Sequence, residues 1–308
     1  MRVVVVGGQG FLGGAIAQEL VNRGDSVVVL DKAADEDACA DQFGVGAVEA
    51  VRGDITRPDD LYDAFRGADE VYHLAGVLGT SELEDSVLEA VEGNIVGSIN
   101  VFAAALRADV PTVFFPSKPN VWLNTYTITK FAAEQFAQLY AAQHAIRIPS
   151  LRYFNAYGPR QSLSPIRKLV PAFAVQALRG SPLSIYGDGA QTVDLIYAPD
   201  LARCTVDFTR SGYAGEAVDC GRGLGVSVLD VAQWVNDFVE NKGGVRHLPM
   251  RRGESPATEL VASTTVLEQT IGGLEFADFD ESLAETVRWY ATRSDAELAQ
   301  AAATLGVG

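Results

Sequence analysis

The sequence predicts an α/β fold: a doubly wound parallel sheet followed by a smaller C-terminal α/β domain. Three observations predict it. Strands that are nearly all apolar alternate with amphipathic helices in the first half, which indicates a parallel sheet covered on both faces. A glycine cluster follows the first strand directly. After residue 155, Pro and Gly punctuate shorter elements, as in a smaller and loop-rich domain.

The length of 308 residues also favours two domains over one. We expect residues 1–155 to bind a cofactor and residues 156–308 to bind a substrate, with a segment near 190–220 returning to the first domain. The ligand crevice is expected where the two domains meet, at the carboxyl edge of the sheet.

The individual elements follow from the apolar pattern. The predicted strands are residues 2–6, 26–31, 47–52, 70–74, 112–115 and 148–153. The predicted helices of the first half are residues 11–23, 58–65, 87–107 and 126–143. In the second half, residues 228–240 form the clearest helix, with Ser227 as its N-terminal cap. The Ala-rich tail from Ser294 predicts a surface helix or a frayed end.

The charge balance excludes two classes of partner. With 24 basic and 40 acidic residues the net charge is −16, so the chain repels nucleic acid backbones and anionic membrane surfaces. No apolar run reaches the roughly 18 residues that a membrane span requires. A small anionic ligand held by a few local cations is still compatible with this charge.

Cysteine and histidine usage points to a cytoplasmic protein without a metal site. The cysteines are odd in number, far apart and in no CxxC pair, so we expect small core residues in a reducing compartment. The histidines are equally scattered. The residues concerned are Cys39, Cys204, Cys220, His73, His144 and His247.

The first glycine cluster, GGQGFLG at residues 7–13, matches a phosphate-binding turn. It fits G-x-G-x-x-G from Gly8 and G-x-x-G-x-x-G from Gly7. Glycine permits the tight turn and the close approach of a pyrophosphate, which the positive N-terminal end of the next helix attracts. Asp31, at the end of the second strand, would accept from ribose hydroxyls and repel a 2′-phosphate, so NAD is expected rather than NADP. The neighbouring Lys32 softens that preference slightly.

Tyr126 and Lys130 form a candidate catalytic pair. They lie four residues apart at the start of a predicted helix, so both face one side. A nearby ammonium and a nicotinamide cation favour the phenolate of a tyrosine, whose pKa is ordinarily near 10. A phenolate can remove the proton from an alcohol while hydride leaves the same carbon. The motif Y-x-x-x-K is common by chance, but behind a dinucleotide fingerprint it becomes specific.

With these motifs in order, the chain resembles the extended short-chain dehydrogenase/reductase family, and within it the NAD-dependent nucleotide-sugar epimerases and dehydratases such as UDP-glucose 4-epimerase. The resemblance covers nearly the whole length. The stretches that carry it are GGQGFLG at 7–13, Gly53-Asp54-Ile55, His73-Leu74-Ala75-Gly76, Asn94-Ile95-Val96-Gly97-Ser98, Tyr126-x-x-x-Lys130, LRYFNAYGPRQ at 151–161, IYGDGAQTVDLIYAPDLAR at 185–203 and HLPMRRGE at 247–254.

The resemblance implies a Rossmann fold and a set of cofactor contacts. Asp54 and Ile55 would lie by the adenine, residues 74–76 would line the ribose and phosphates, and Lys130 would also hold the nicotinamide ribose. The implied NAD-binding residues are Gly7, Gly10, Phe11, Leu12, Gly13, Asp31, Lys32, Asp54, Ile55, Leu74, Ala75, Gly76, Asn94, Tyr126, Lys130 and Tyr153.

The resemblance also implies substrate contacts and an assembly. Asn155 is expected to contact the sugar nucleotide, and Arg251 to clamp its diphosphate, which a bidentate guanidinium suits. Relatives form dimers by pairing two helices with their copies. The corresponding helices near 94–107 and 126–143 are rich in Ala, Phe and Leu, so a homodimer is expected.

The chain departs from the family pattern at the end of the strand before Tyr126. The family has a Ser or Thr there as its third catalytic residue. Alignment from the strand end places Ser117 in that position, and we favour it. Alignment on Val121-Trp122 places Lys118 there instead, as a cation that faces the substrate, and Thr125 is a further candidate.

Two more departures bear on the reaction. Dehydratases of the family place an Asp-Glu pair after their Thr, and this pair is the acid and base that expel water. This chain reads Lys118-Pro119-Asn120 there, so the pattern disfavours dehydration and favours epimerisation.

The family's Gln-x-Arg-Asp appears as residues 191–194, with Val193 at the position of an arginine that helps to bind the diphosphate. The replacement is either a different substrate anion or one of Arg160, Arg167, Lys168 and Arg222.

The expected function is NAD-dependent 4-epimerisation of a nucleotide sugar, with a UDP-hexose as first choice, through a transient 4-keto intermediate. The alternatives are a dehydratase, a decarboxylase or a 4-keto-sugar reductase of the same family, and an NAD-binding scaffold that has lost catalysis. The sequence leaves the sugar and the nucleotide open.

Overall fold

The computed structural model describes residues 1–79, 82–162, 168–251 and 259–304. The chain divides into two compact units. Unit 1 comprises Met1–Tyr153, Leu201–Cys220 and Thr265–Leu274. Unit 2 comprises Phe154–Asp200, Gly221–Thr264 and Glu275–Gly308. The first break therefore follows Tyr153, close to the expected boundary after residue 155, and residues 201–220 belong to unit 1.

Strands and helices are numbered in chain order. The strands are β1 (Arg2–Val6), β2 (Ser26–Asp31), β3 (Val48–Arg52), β4 (Glu70–His73), β5 (Val113–Ser117), β6 (Ser150–Tyr153), β7 (Asn155–Tyr157), β8 (Leu183–Tyr186), β9 (Thr192–Tyr197), β10 (Val218–Cys220), β11 (Gly225–Ser227), β12 (Val245–Leu248) and β13 (Glu259–Leu260). The helices are α1 (Phe11–Asn22), α2 (Glu36–Phe43), α3 (Pro58–Phe65), α4 (Val87–Ala90), α5 (Gly97–Arg107), α6 (Thr125–Gln143), α7 (Leu169–Leu178), α8 (Ala198–Arg210), α9 (Val228–Phe238), α10 (Thr265–Ile271), α11 (Phe279–Ala291) and α12 (Asp295–Thr304).

Unit 1 is built on a seven-stranded sheet in the order β10-β6-β5-β4-β1-β2-β3. Every neighbouring pair in this sheet is parallel. The strand order reverses at β1, because β2 and β3 are added on one side of it and β4 on the other. Such a reversal leaves a crevice at the carboxyl ends of the strands on either side. The predicted α/β fold with a parallel sheet is confirmed.

The helix over Val87–Arg107 is the one stretch within the described ranges whose length and apolarity alone would allow it to cross a membrane. It is continuous because a π-helical segment, Val91–Val96, joins α4 to α5. Its residues Val101, Phe102 and Ala105 are fully buried in the apolar core that α3, α5 and α6 form with the sheet. A core helix passes the same length test, and these contacts make this one a core helix of unit 1.

Two elements differ from the expectation. Helix α2 is absent from the prediction because only Cys39 and Phe43 are buried in it, so its apolar pattern is weak. Strand β5 was expected to end at residue 115 but continues to Ser117, since Pro116 and Ser117 pair with β6. The longer strand decides on which side of the sheet Ser117 lies.

Unit 2 contains a small mixed sheet and a separate strand pair. β11 and β13 flank β9, with β7 also beside β9, and β12 pairs with β8. Helices α7, α9 and α11 contribute to its apolar core. Ser227 caps α9 as predicted and accepts from the Asp230 amide at 3.0 Å. Leu298 of α12 is buried in the same core, so the described part of the tail, Asp295–Thr304, is a helix that packs on unit 2.

Candidate active site

The glycine turn after β1 is held against the loop after β4. Gly7 has a φ of +80°, and a Cβ there would stand 2.6 Å from the Ala75 amide nitrogen. A Cβ at Gly13 would stand 2.1 Å from the Gly7 carbonyl oxygen. Because only glycine fits at both positions, bare backbone forms the floor of the turn. Helix α1 begins at Phe11 without an acidic side chain in its first turn, so its N-terminal end stays electropositive.

Asp31 lies beside this turn at the end of β2. Its Oδ2 accepts from the Gln9 amide at 3.3 Å, and its Oδ1 accepts from the Ala33 amide at 3.0 Å. The Gln9 Oε1 atom is buried and has no hydrogen-bond partner among the described residues. Asp31 itself is partly exposed and Lys32 is exposed. A carboxylate in this place suits the paired hydroxyls of a ribose.

The loop after β4 is fixed by hydrogen bonds to β1 and to Asn94. The Leu74 and Ala75 amides donate to the Val6 carbonyl at 2.7 and 2.9 Å. The Asn94 side chain accepts from the Val77 amide at 2.7 Å and donates to the Val77 carbonyl at 3.0 Å. Asn94 is 2% exposed, and its side chain fixes the position of this loop.

Three further predicted cofactor residues are engaged in protein contacts. Asp54 accepts from the amide and the hydroxyl of Thr56, each at 2.9 Å, and the amide hydrogen bond lowers the pKa of Asp54. Ile55 is buried in the core of unit 1. The Tyr153 hydroxyl shares a hydrogen bond of 2.6 Å with Thr205. Tyr153 is buried, and its place in the cofactor site stays a prediction.

Helix α6 presents Tyr126 and Lys130 one turn apart. Its N-cap, Asn124, accepts from the Thr127 amide at 2.8 Å and so fixes the first turn, where Tyr126 lies. The Lys130 Nζ atom is 4.2 Å from the centroid of the Phe115 ring. Burial lowers the pKa of Lys130 to about 7.

The pKa of Tyr126 moves in the direction opposite to the expected one. Burial raises it above its ordinary value, because a phenolate loses more by leaving water than the phenol does. The Lys130 ammonium does not offset this cost in the protein alone. Tyr126 is therefore held as a neutral phenol until more positive charge enters the site.

Ser117 is engaged in a buried polar chain. It is 3% exposed and donates a short hydrogen bond to the Glu134 carboxylate. The Arg152 guanidinium forms ion pairs with two carboxylates: its Nη2 atom is 3.4 Å from Glu134 Oε1, and its Nη1 atom is 3.5 Å from Asp219 Oδ1. Side chains alternate along a strand, so the extension of β5 places Ser117 on the same face as Phe115, under α6. The Ser117 hydroxyl is thus directed to Glu134 in this structure, and its catalytic role stays a prediction.

Lys118 is the alternative at the same strand end, and it lies beside Tyr126. Its Nζ donates to Thr127 Oγ1 at 2.7 Å and to the carbonyl of the following residue at 2.8 Å. The Nζ atom is 5.8 Å from the centroid of the Tyr126 ring and 5.7 Å from that of Trp122. Burial lowers the pKa of Lys118 to about 8, so the group is mostly an ammonium at neutral pH.

Unit 2 carries the two other predicted substrate residues and a pocket. Asn155 begins β7, and its Nδ2 atom is buried without a hydrogen-bond partner among the described residues. The Arg251 guanidinium lies 5.0 Å over the Tyr186 ring. The pocket has a volume of about 70 Å³, and its lining combines apolar, aromatic and cationic side chains. These include Lys168, Phe173, Gln176, Ser184, Tyr186 and Arg251.

The position of the missing arginine is apolar in the structure. Val193 packs against the core of unit 2. Arg222 is a direct neighbour of this segment, since its amide donates to Asp194 at 2.8 Å. The Arg222 Nε atom is buried without a hydrogen-bond partner in the described part of the chain, and its guanidinium lies 5.0 Å over the Phe279 ring. Arg167, another candidate replacement, falls outside the described residues.

A model described as the NAD dependent epimerase/dehydratase family matches residues 3–221. The chain belongs to this family.

Individual relatives support the assignment. The UDP-N-acetyl-alpha-D-glucosaminuronate decarboxylase of Bacillus cytotoxicus is 26% identical over 313 residues, which cover 94% of this chain and 97% of the relative. The UDP-glucose 4-epimerase of Azospirillum brasilense is 28% identical over 305 residues, which cover 88% and 86%. The solved UDP-glucose 4-epimerase of Thermus thermophilus in complex with NAD is 25% identical and superposes with a TM-score of 0.84 over 96% of this chain and 100% of that one.

NAD is the cofactor of this epimerase/dehydratase family member, and the residues of unit 1 fit it. The bare backbone of Gly7 and Gly13 and the N-terminal end of α1 suit a pyrophosphate. Asp31 supplies an acceptor for ribose hydroxyls. The Lys130 side chain has no hydrogen-bond partner within the described residues, so it can donate hydrogen bonds to a ligand. Across the same residues, no group of three His, Cys, Asp or Glu side chains could hold a metal ion.

Two residues that organise the site were not found from the sequence. Glu134 holds Ser117, and Thr127 accepts from Lys118. A signal existed for Glu134, since it lies four residues after Lys130 and places a charge on the buried face of α6. No pattern in the sequence singles out Thr127, because its role depends on the fold of the preceding loop.

Proposed function

We propose that the protein is a nucleotide-sugar 4-epimerase that acts on a UDP-hexose through a transient 4-keto sugar. The observation that carries this proposal is the set of groups around Tyr126: a phenol, two lysine amines and, among the described residues there, carboxylates that already accept hydrogen bonds from the protein. Glu134 is engaged by Ser117, and Glu84 accepts from the Thr125 amide at 2.9 Å. Elimination of water requires such an acid and base, so return of hydride to the carbon it left is favoured.

The roles of the side chains follow from their positions. When bound, NAD accepts a hydride and gives it back. Tyr126 takes the proton from the hydroxyl on carbon 4 and returns it after the sugar has presented its other face. Lys130 holds the ribose hydroxyls near the phenol. The positive charges of Lys130 and Lys118 favour the phenolate against the cost of burial.

Unit 2 supplies the groups that we assign to the nucleotide. The Tyr186 ring offers a face on which a base can stack, and Arg251 and Lys168 offer cations to a diphosphate. Asn155, whose buried amide nitrogen has no hydrogen-bond partner among the described residues, is assigned to the sugar nucleotide. Arg222 is assigned the place of the arginine that β9 lacks.

The test is a panel of UDP-, dTDP- and GDP-hexoses incubated with the NAD-loaded protein, with the products identified by NMR. We expect inversion at carbon 4 of one sugar without net consumption of NAD or NADH. A 4-keto-6-deoxy product would indicate a dehydratase, a pentose product with release of carbon dioxide would indicate a decarboxylase, and stoichiometric loss of NADH would indicate a reductase. Any of these results in place of inversion contradicts the proposal.

We also propose a homodimer formed through α5 and α6. Val96, Ile128, Phe131 and Leu139, on or next to these two helices, are 44%, 51%, 43% and 44% exposed. Clustered apolar side chains of this kind mark an interface more often than a free surface. A twofold pairing would bury the same residues of both copies.

Phe131→Glu is expected to give a monomer at micromolar concentration, because the charge would have to be buried in the interface. Light scattering of the purified protein measures this. Val45→Glu, at a position of unit 1 that is 94% exposed, is the matched control and should stay dimeric. A monomeric wild-type protein, or a Phe131→Glu protein that remains dimeric, contradicts the proposed interface.

We place the enzyme in the cytoplasm. None of Cys39, Cys204 and Cys220 forms a disulfide, and all three are buried. Buried thiols without disulfides suit a reducing compartment.

A further inference from the structure

Lys118 is a partly buried cation next to the proposed base, and the described residues place no carboxylate there to balance it. Both hydrogen bonds of its Nζ go to neutral oxygens, the Thr127 hydroxyl and a backbone carbonyl. Desolvation is the cause of its lowered pKa. An ammonium has three protons to donate, so one is left for a ligand. In a chain with 40 acidic residues, the described structure places none of them against this group.

Lys130, the second lysine near Tyr126, has one carboxylate beside it, and that carboxylate has other partners. The carboxylate that acts on it is Glu134, which already accepts from Ser117 and pairs with Arg152. Desolvating an ammonium costs free energy unless an anion or hydrogen-bond acceptors compensate for it. Glu134 is thus shared by Lys130, Ser117 and Arg152, whereas Lys118 is the amine of the two that no described carboxylate contacts.

A neutral hexose would leave the positive charge of Lys118 without a negative partner. The groups on a hexose that Tyr126 and its neighbours can reach are hydroxyls, each of which needs only a hydrogen bond. A carboxylate on carbon 5, the carbon next to the reacting carbon 4, would give Lys118 a charge-assisted hydrogen bond. It would also give Lys118 the negative counter-charge that the described residues do not supply.

We propose that Lys118 selects a substrate whose sugar carries a carboxylate, namely a nucleotide-activated uronic acid, and that it binds this carboxylate while Tyr126 acts on carbon 4. The inference rests on the proposed function and narrows its substrate from a hexose in general to a hexuronic acid. Lys118 is then a specificity-determining residue, and Thr127 positions it.

The experiment compares matched pairs that differ only at the carbon attached to carbon 5: UDP-glucose with UDP-glucuronic acid, and dTDP-glucose with dTDP-glucuronic acid. Turnover and binding are measured for the NAD-loaded wild type, for Lys118→Met and for Lys118→Arg. Methionine keeps the length and apolar stem of lysine without its charge. Lys242→Met, at an exposed lysine of unit 2, is the matched control.

In the wild type, kcat/KM is expected to favour the uronic acid of one pair by about 10- to 100-fold, the range of a hydrogen bond to a charged group. Lys118→Met should remove this preference. Loss of the positive charge beside Tyr126 lowers turnover of both sugars, and kcat/KM for the uronic acid falls by a further factor of about 10 to 100, mainly through KM. Lys118→Arg should retain part of the preference, and Lys242→Met all of it.

Two results overturn the inference. The first is a wild type that does not prefer the uronic acid in either pair. The second is a preference that survives in Lys118→Met, as it would after an equal loss for both sugars, which would show that the ammonium acts on a group they share. In both of these cases the proposed function still stands where the products show inversion at carbon 4, whereas release of carbon dioxide from the uronic acid contradicts the proposed function and not the inference. If neither member of either pair is bound or converted, the proposed function falls together with the inference.

Discussion

Tyr126→Phe protein is expected to lose about 10²- to 10⁴-fold in turnover, the usual contribution of a positioned acid or base. The substitution removes the phenolic oxygen and keeps the ring that lies 5.8 Å from the Lys118 ammonium. The packing of the first turn of α6 should therefore not change. NAD binding should also be close to that of the wild type, because the glycine turn, Asp31 and Lys130 are left in place.

The measurement is the rate of product formation at saturating nucleotide sugar, with NAD content determined on the same sample. Tyr140→Phe is the matched control, since it removes a hydroxyl from the same helix. The Tyr140 ring packs against Phe102 and His144 through contacts that do not need its oxygen. Full turnover in the Tyr126→Phe protein would contradict the mechanism, because it would show that Tyr126 is not the base.

Asp194→Ala is expected to lower the free energy of unfolding by about 3–5 kcal/mol, the cost of breaking a buried charged network. The Asp194 side chain is fully buried in unit 2. It accepts from the amides of Arg222 and Gly223, each at 2.8 Å, and from the amide of Ala262 at 3.1 Å. Alanine would leave all three N–H groups without an acceptor inside the protein. Arg222, which we assign to the diphosphate, would lose its support at the same time.

Guanidinium chloride titration followed by circular dichroism measures the effect. Asp194→Asn keeps one acceptor oxygen and should fall between the wild type and the alanine variant. Asp188→Ala is the matched control in the same unit, since its carboxylate is exposed and accepts from one amide, that of Ala190 at 3.0 Å. If Asp194→Ala is no less stable than Asp188→Ala, the three hydrogen bonds do not hold this part of unit 2.

The parts of the fold that local patterns determine were predictable. The strands of the parallel sheet are apolar throughout because helices cover both faces, and they are found within a few residues of their predicted positions. The glycine turn was predictable because steric exclusion at Gly7 and Gly13 leaves no other residue that fits. Helix α2 was missed because it buries only two side chains.

The identity of the third side chain near Tyr126 was not predictable. Ser117 and Lys118 are adjacent, and a shift of one residue along a strand moves a side chain to the opposite face. The choice depended on where β5 ends, and that depends on the pairing of Pro116 and Ser117 with β6. Asn94 was singled out from the sequence for the cofactor, but its partner Val77 is set by tertiary contacts that no local pattern reports.

The place of β10 in the sheet has a consequence for synthesis of the chain. β10 covers the outer edge of β6, and Arg152 and Asp219, which face each other across this pair, lie 67 residues apart in the sequence. While the ribosome adds the intervening residues, β6 is an unpaired edge of apolar sheet, the kind of surface to which other chains add strands. Nascent chains and proteolytic fragments that end near Tyr153 are therefore the species of this protein most exposed to aggregation, although they already contain the complete glycine turn.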